Sequence, residues 1–192
     1  MASTLPTVEP PASHRRSRLG MAAVIVVVLG LTAMWVYAFS LTGQDNPDVF
    51  PDRAWAANAE SVCATYTARV DALPPARSFK DIQPRSEALR QRADVGTEAT
   101  DLLREMVAEL AGREPADEKS RTGVNLWLQD WGRYLADRDR HVAGWRAGND
   151  EPFSETAVSG EDVGKGVPVS IRIDAFAKAN RMASCVVPQD FG

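Results

Sequence analysis

The segment 124–145, "VNLWLQDWGRYLADRDRHVAGW", decides the fold because its largest side chains recur at the period of an α-helix. Steps of three and four residues place six of them on one side of such a helix; they are Trp127, Trp131, Tyr134, Arg138, His141 and Trp145, called the aromatic seam below. Most charged residues between them fall off this stripe, where they are spaced for surface ion pairs. The segment is therefore predicted to be a long helix whose aromatic seam faces the core.

Two members of the aromatic seam are unusual for a core-facing stripe, Arg138 and His141. Arg138 either stacks on an aromatic ring and pairs with a carboxylate, or marks a ligand pocket. Asp137 and His141 are four residues apart, but two metal ligands are too few for a site and no HExxH motif accompanies them. No metal or cofactor is predicted. The candidate ligand site or buried polar site comprises Arg138, His141, Trp131, Trp145 and Tyr134.

Outward from this segment, capping residues, prolines and glycines divide residues 52–192 into four predicted helices, at about 52–73, 84–112, 118–147 and 173–184. Asp52 and Asp117 are predicted N-caps, and Gly96 predicts a kink or break in the second helix. Glycines after residue 159 and alternating apolar residues over 167–173 predict a small β-hairpin. The predicted fold class is mainly α, a four-helix bundle-like domain with a small hairpin before its last helix.

The stretch 19–41, "LGMAAVIVVVLGLTAMWVYAFSL", contains no charged residue. As a helix it would be about 35 Å long, enough to cross a hydrocarbon core of about 30 Å, so it is predicted to be a transmembrane helix in the lipid bilayer. Basic residues precede it and acidic residues follow it, which predicts that the tail (1–18) is cytoplasmic and that the domain 52–192 is extracytoplasmic. The composition of the tail predicts that it is disordered, and Pro47 and Pro51 indicate a linker at 42–51. The alternative is a signal peptide cleaved near 38–40, but the length of the apolar stretch favours an uncleaved anchor.

The chain has two cysteines, Cys63 in the first predicted helix of the body and Cys185 at the end of the last. An even number of cysteines outside the membrane is most simply explained by pairing. A four-helix body brings its first and last helices together readily. A disulfide is therefore predicted, with two buried free thiols as the alternative.

Signatures of catalysis and of nucleic-acid binding are weak. No GxSxG motif occurs, and "GEDVGKG" at 160–166 departs from a P-loop in glycine spacing and in lacking Ser or Thr after Lys165. The net charge is −4, and the basic residues of the body are interleaved with acidic ones, which disfavours a nucleic-acid partner. The sequence predicts a protein that is not an enzyme.

Three further stretches carry a resemblance to a known group of proteins. "LWLQDWGRYLADRDRHVAGWRAGND" at 126–150 is followed by "IDAFAKANRMASCVVPQD" at 173–190, and "LPP" at 73–75 follows the cysteine-bearing first helix. In these stretches the chain resembles uncharacterised actinobacterial single-pass membrane proteins with a helical, two-cysteine extracytoplasmic domain. The resemblance implies an organisation and no activity, cofactor or catalytic residue.

Two functions are expected from these features. The first is a membrane-anchored extracytoplasmic interaction or structural module of the cell envelope, with an envelope protein as partner. The alternative is a small-ligand binding or sensing domain with a pocket near Arg138. A cavity bordered by Arg138 would favour the alternative.

Overall fold

The computed structural model describes residues 14–36, 49–160 and 163–191. The chain divides into two compact units, Met1–Asp45 and Asn46–Gly192. The first unit contains helix α1 (His14–Val36). Residues 1–13 of the predicted tail, the end of the predicted membrane segment (37–41) and most of the predicted linker (42–48) lie outside the described residues.

Helix α1 corrects the prediction made for residues 19–41. The helix begins at His14, so the basic residues expected to precede it form its first turns, and its described part ends at Val36. No helix in the described ranges is both long enough and apolar enough to cross a membrane. The predicted transmembrane helix is therefore wrong, and with it the cell-membrane localisation and the cytoplasmic and extracytoplasmic assignments.

The second unit is a helical body with a small hairpin, which confirms the mainly α class predicted for it. Its elements, in chain order, are α2 (Arg53–Asp71), a 3-10 turn (Ala76–Phe79), α3 (Arg85–Ala111), α4 (Glu118–Arg146), β1 (Ala157–Gly160), β2 (Val163–Pro168), α5 (Val169–Ala179) and a second 3-10 turn (Ala183–Cys185). Helix α3 contacts both α2 and α4, and α4 also contacts α5. The second 3-10 turn contacts α2, so the last part of the body returns to the first.

The starts of α2 and α4 are capped by the residues that the sequence predicts. Asp52 accepts hydrogen bonds from the backbone N–H of Trp55 at 2.9 Å and of Ala116 at 2.8 Å, and these two bonds, Ala116 first, hold the pKa of Asp52 below its usual value. Asp117 accepts from the Ser120 N–H at 2.9 Å, and the Ser120 hydroxyl accepts from the Asp52 N–H at 3.2 Å. The two caps thus join the beginnings of two helices that are distant in sequence.

The predicted hairpin is present but shorter than expected. β1 and β2 are antiparallel, with Val158 opposite Val167, and the loop residues 161–162 lie outside the described residues. The prediction extended the second strand to residue 173, whereas α5 begins at Val169. Val169 and Ile173 are fully buried while Ile171 is 54 % exposed. Positions four apart lie on one face of both a helix and a strand, and only the exposure of Ile171 distinguishes the helix.

Helix α5 also ends earlier than predicted, at Ala179 instead of near Ser184. Arg181 adopts the left-handed conformation, with φ of 62°, which a continuing right-handed helix does not allow. The chain turns there into the 3-10 turn that carries Cys185.

Helix α3 passes through Gly96 without the predicted break. A Cβ at this position would lie 3.0 Å from Val142 Cγ2, 3.1 Å from Trp145 Cζ3 and 3.2 Å from Phe191 Cε1. The missing side chain therefore permits a close approach of α4 and residue 191 to α3.

The predicted disulfide joins Cys63 in α2 to Cys185 in the second 3-10 turn. Both cysteines are fully buried, and their Cα atoms are 5.1 Å apart, within the usual range for a bridge. This confirms the pairing and leaves no free thiol, because the chain has no other cysteine. The bridge secures the junction between the beginning and the end of the helical body.

Candidate functional site

The aromatic seam lies along the side of α4 that faces the rest of the body. Trp127, Trp131, Tyr134, Arg138 and Trp145 are all 3 % exposed or less, and only His141 is half-buried. The first three belong to the large apolar core of the body. Trp145 belongs to a second, smaller apolar cluster with residues of α3. Along α4, Arg138 lies between Tyr134, which belongs to the large core, and Trp145, which belongs to the second cluster.

Arg138 is paired, as one of the two alternatives in the sequence analysis requires. Its Nη1 and Nη2 donate to the two carboxylate oxygens of Asp190 at 2.7 and 2.5 Å, and its Nε donates to the Thr100 hydroxyl at 3.0 Å. The guanidinium carbon lies 3.9 Å from the centre of the Phe191 ring. This two-pronged geometry is the strong form of an arginine–carboxylate pair. The side chain is fully buried.

The surroundings of this pair keep Arg138 charged and Tyr134 neutral. Burial disfavours the charge on Arg138, but hydrogen bonds and attraction from Asp190 outweigh it and raise the pKa of Arg138 above its usual value. Burial raises the pKa of Tyr134 to about 12, although the neighbouring Arg138 opposes this. A general base or acid near pH 7 requires a pKa in that range, which neither side chain has.

Asp190 and Phe191 belong to the segment Val186–Phe191, which has no regular secondary structure and is called the strap below. The Val187 N–H donates to Asp174 Oδ1 at 2.9 Å, and the Tyr134 hydroxyl donates to the Pro188 carbonyl at 3.5 Å. The strap thus runs from the second 3-10 turn past the middle of α4. It ends in the described part of the chain with Phe191 against the second apolar cluster.

The Phe191 ring sits in a pocket of aromatic groups. Its centre is 5.2 Å from His141, 5.2 Å from Trp145 and 5.3 Å from Phe153. Gly96 of α3 lies on another side. These separations are typical of favourable aromatic contacts. The strap therefore lies in a groove, called the strap groove below. Its floor is formed by Arg138, the buried cation that binds Asp190, and by the aromatic pocket that holds Phe191.

His141 lies at the border of this pocket. Burial, followed by the charges of Arg92 and Arg138, lowers the pKa of His141 below its usual value, so the imidazole is neutral at pH 7. Its ring centre is 4.3 Å from that of Trp145. On its other side it lines an open cavity of about 200 Å³ together with Asp137. In this position His141 serves as a wall of the aromatic pocket.

Asp137 is occupied by other contacts. It accepts from the Thr156 N–H at 2.6 Å, from the Thr156 hydroxyl at 2.8 Å and from Arg140 at 2.8 Å. Within the part of the chain that the structure describes, no group of three His, Cys, Asp or Glu side chains is placed to hold a metal ion. Among the described residues, Asp137 and His141 therefore have no third side chain beside them that could complete a metal site.

Asp130 and Asp137 correct the expectation that the charges between the seam residues lie on the surface, because both are buried. Asp130 accepts from Arg133 at 2.6 Å and from Arg172 of α5 at 2.6 Å. The carboxylates therefore tie α4 to the segments that cover it, Asp130 to α5 and Asp137 to Thr156 just before the hairpin.

A larger open cleft lies beside the strap, lined in part by Pro188, Gln189 and Asp190. It has a volume of about 370 Å³, and Asp190 lines it beside Arg77 and the apolar side chains of Val70, Leu73 and Val95. The carboxylate that neutralises Arg138 is 18 % exposed. Arg138 itself does not line the cleft.

The sequence analysis identified one half of this site and missed the other. It singled out the seam residues on α4 but not Asp190, Phe191, Thr100 or Phe153, and it interpreted Gly96 only as a kink or break in a helix. The available signal was Arg138 itself, since an arginine on an apolar stripe requires a buried carboxylate.

Comparisons of the chain with protein-family models, with curated proteins and with solved structures gave no match.

Proposed function

We propose that the helical body is an interaction module that binds a protein partner, and that it has no catalytic role. The observation that carries this proposal is the ion pair between the fully buried Arg138 and Asp190, whose side chain is 18 % exposed. Arg138, the charged member of the seam, is engaged by Asp190, and this pair holds the Val186–Phe191 segment of the chain. A body that binds one such segment through an ion pair and aromatic packing has the chemistry needed to bind a similar segment of a partner protein.

The disulfide and the joined helix caps support the same proposal. A binding surface loses less entropy on association when its scaffold is already rigid. The bridge between Cys63 and Cys185 and the bonds among Asp52, Asp117 and Ser120 hold separate parts of the body together. Such a scaffold is suited to presenting a constant surface to a partner.

The test is capture after chemical crosslinking in the host. The folded chain is the bait, and a matched bait carries Trp131→Asp, which puts a charge into the fully buried core and unfolds the body. We expect one or a few proteins to be enriched by the folded bait alone. Equal recovery by the two baits, with several crosslinkers, would refute the proposal.

A second candidate function is the binding of a small ligand in the cleft beside Asp190. The observation in its favour is the volume of about 370 Å³, which falls in the range of ligand sites. The apolar wall and the charged rim of Asp71, Arg77 and Asp190 suit a small amphipathic molecule. A thermal-shift screen of metabolite mixtures tests it, with Val95→Phe as the variant that fills the cleft. A ligand that stabilises both proteins equally would exclude this cleft.

A further inference from the structure

The strap is held chiefly by its side chains. From Pro188 to Phe191 it makes no backbone–backbone hydrogen bond with the described residues, and Pro188 has no N–H to donate. Its anchors there are the Asp190 carboxylate, the Phe191 ring and the weak bond from Tyr134. Segments with few backbone bonds open locally without unfolding of the whole domain. The strap is therefore the part of this region most able to leave its groove.

A vacated groove would retain a strong requirement for a carboxylate. Arg138 is fully buried, and apart from Asp190 its hydrogen-bond partners are the neutral hydroxyls of Thr100 and Tyr134. A buried cation without a counter-charge is unfavourable. Whatever enters in place of the strap must therefore bring an acidic group to Arg138.

The same groove would require an aromatic side chain next to that carboxylate. The Phe191 pocket is walled by His141, Trp145 and Phe153, and the Arg138 guanidinium faces the Phe191 ring. The space opposite Gly96 exists because α3 has no side chain there. A smaller residue would leave this space empty, and a charged one would be desolvated without a partner.

Resting on the proposed function, we propose that this groove is the recognition site for a partner protein, and that it binds an extended segment in which an aspartate is followed directly by an aromatic residue. The strap is the resident occupant, and a partner with the same pair of residues displaces it. Charge complementarity to Arg138 and the shape of the aromatic pocket define this partner.

Displacement also determines how affinity depends on the strap. A tethered segment competes at a high effective concentration, so the intact chain binds a partner segment more weakly than a chain with a weakened strap. Removing the Phe191 ring should strengthen binding, and removing the Asp190 charge as well should strengthen it further. Each step is expected to change the dissociation constant by about tenfold or more.

The experiment titrates a fluorescein-labelled peptide of sequence VVPQDF, that of residues 186–191, into the full-length chain and reads fluorescence anisotropy. Three proteins are compared: the natural chain, Phe191→Ala, and the double variant Asp190→Asn with Phe191→Ala. Ile171→Ala, at an exposed apolar residue outside the groove, is the matched control. A second peptide, VVPQNF, lacks only the carboxylate.

We expect affinity for VVPQDF to rise from the natural chain to Phe191→Ala and again to the double variant, while Ile171→Ala matches the natural chain. VVPQNF should bind at least tenfold more weakly. If the double variant does not fold by circular dichroism, Phe191→Ala decides, because it keeps the Arg138–Asp190 pair.

Equal affinity of the folded variants and the natural chain, or equal binding of the two peptides, would overturn the assignment of the groove. The proposed function would survive that outcome if the folded bait still captured a partner. The proposed function would be refuted only if the two baits recovered the same proteins equally in the capture experiment.

Discussion

The substitution Asp190→Asn isolates the charge that neutralises Arg138, because asparagine keeps the shape of the side chain and one oxygen acceptor. Removing one partner of a buried ion pair costs roughly 3–5 kcal/mol. Arg138 is fully buried, but Asp190 is 18 % exposed and water can reach it, so about 3 kcal/mol is expected. At roughly 2–4 °C per kcal/mol for a body of this size, the midpoint of thermal unfolding should fall by about 6–12 °C.

Urea unfolding followed by circular dichroism and tryptophan fluorescence measures this loss. The matched control is Asp139→Asn, because Asp139 pairs with Arg104 at 2.9 Å on the surface, where the two side chains are 58 % and 47 % exposed. A surface pair is worth less than about 1 kcal/mol. If Asp190→Asn costs no more than Asp139→Asn, the strap does not depend on the buried charge and the reasoning about the groove fails.

Three further predictions concern other parts of the body. Replacing Cys63 and Cys185 by alanine opens a bridge that spans 122 residues, and should lower the free energy of unfolding by about 5 kcal/mol in urea titrations; an unchanged midpoint would contradict this. Gly96→Ala should destabilise the body by about 1–2 kcal/mol through overpacking, whereas Gly132→Ala, with open space around it, should stabilise it by up to about 1 kcal/mol; calorimetry showing the reverse order would count against the close approach at α3. The lowered pKa of His141 means that the unfolded chain takes up a proton first as pH falls below about 6.5, so stability present above that pH is lost on acidification; between pH 7.5 and 5.5 the natural chain should lose more stability than His141→Gln, and parallel curves would refute this.

Local chemistry explains which parts of the fold were predictable. Asp52 and Asp117 are good caps wherever an apolar periodicity follows them, so the starts of α2 and α4 could be placed from sequence. The start of α5 could not, because Val169 and Ile173 suit a strand and a helix equally. The transmembrane prediction for the uncharged stretch 19–41 was wrong for a different reason. Hydropathy identifies apolar residues but does not determine where a helix begins or ends, and α1 begins five residues before that stretch.

The sequence predicted that Arg138 needs a carboxylate partner, but not which residue supplies it. Periodicity placed Arg138 among buried aromatics, and electrostatics demanded a carboxylate for it. Which carboxylate it would be depended on the path of the chain after Cys185, in a stretch without periodicity. Asp190 is 52 residues away from Arg138 in sequence, and only the folded body brings the two together. Gly96 was interpreted from its weak helix propensity, whereas its role comes from the neighbours that approach it.

The disulfide has a mechanical consequence. A pulling force applied before α2 and after the strap would first peel away the strap and then reach Cys185. From there the tension would pass through the sulfur–sulfur bond to Cys63 and on through the first part of α2. Helices α3, α4 and α5 lie within the covalent loop, off this line of tension. About 400 Å of chain that could otherwise be drawn out is thereby locked away, and under load the body would yield only at its two margins.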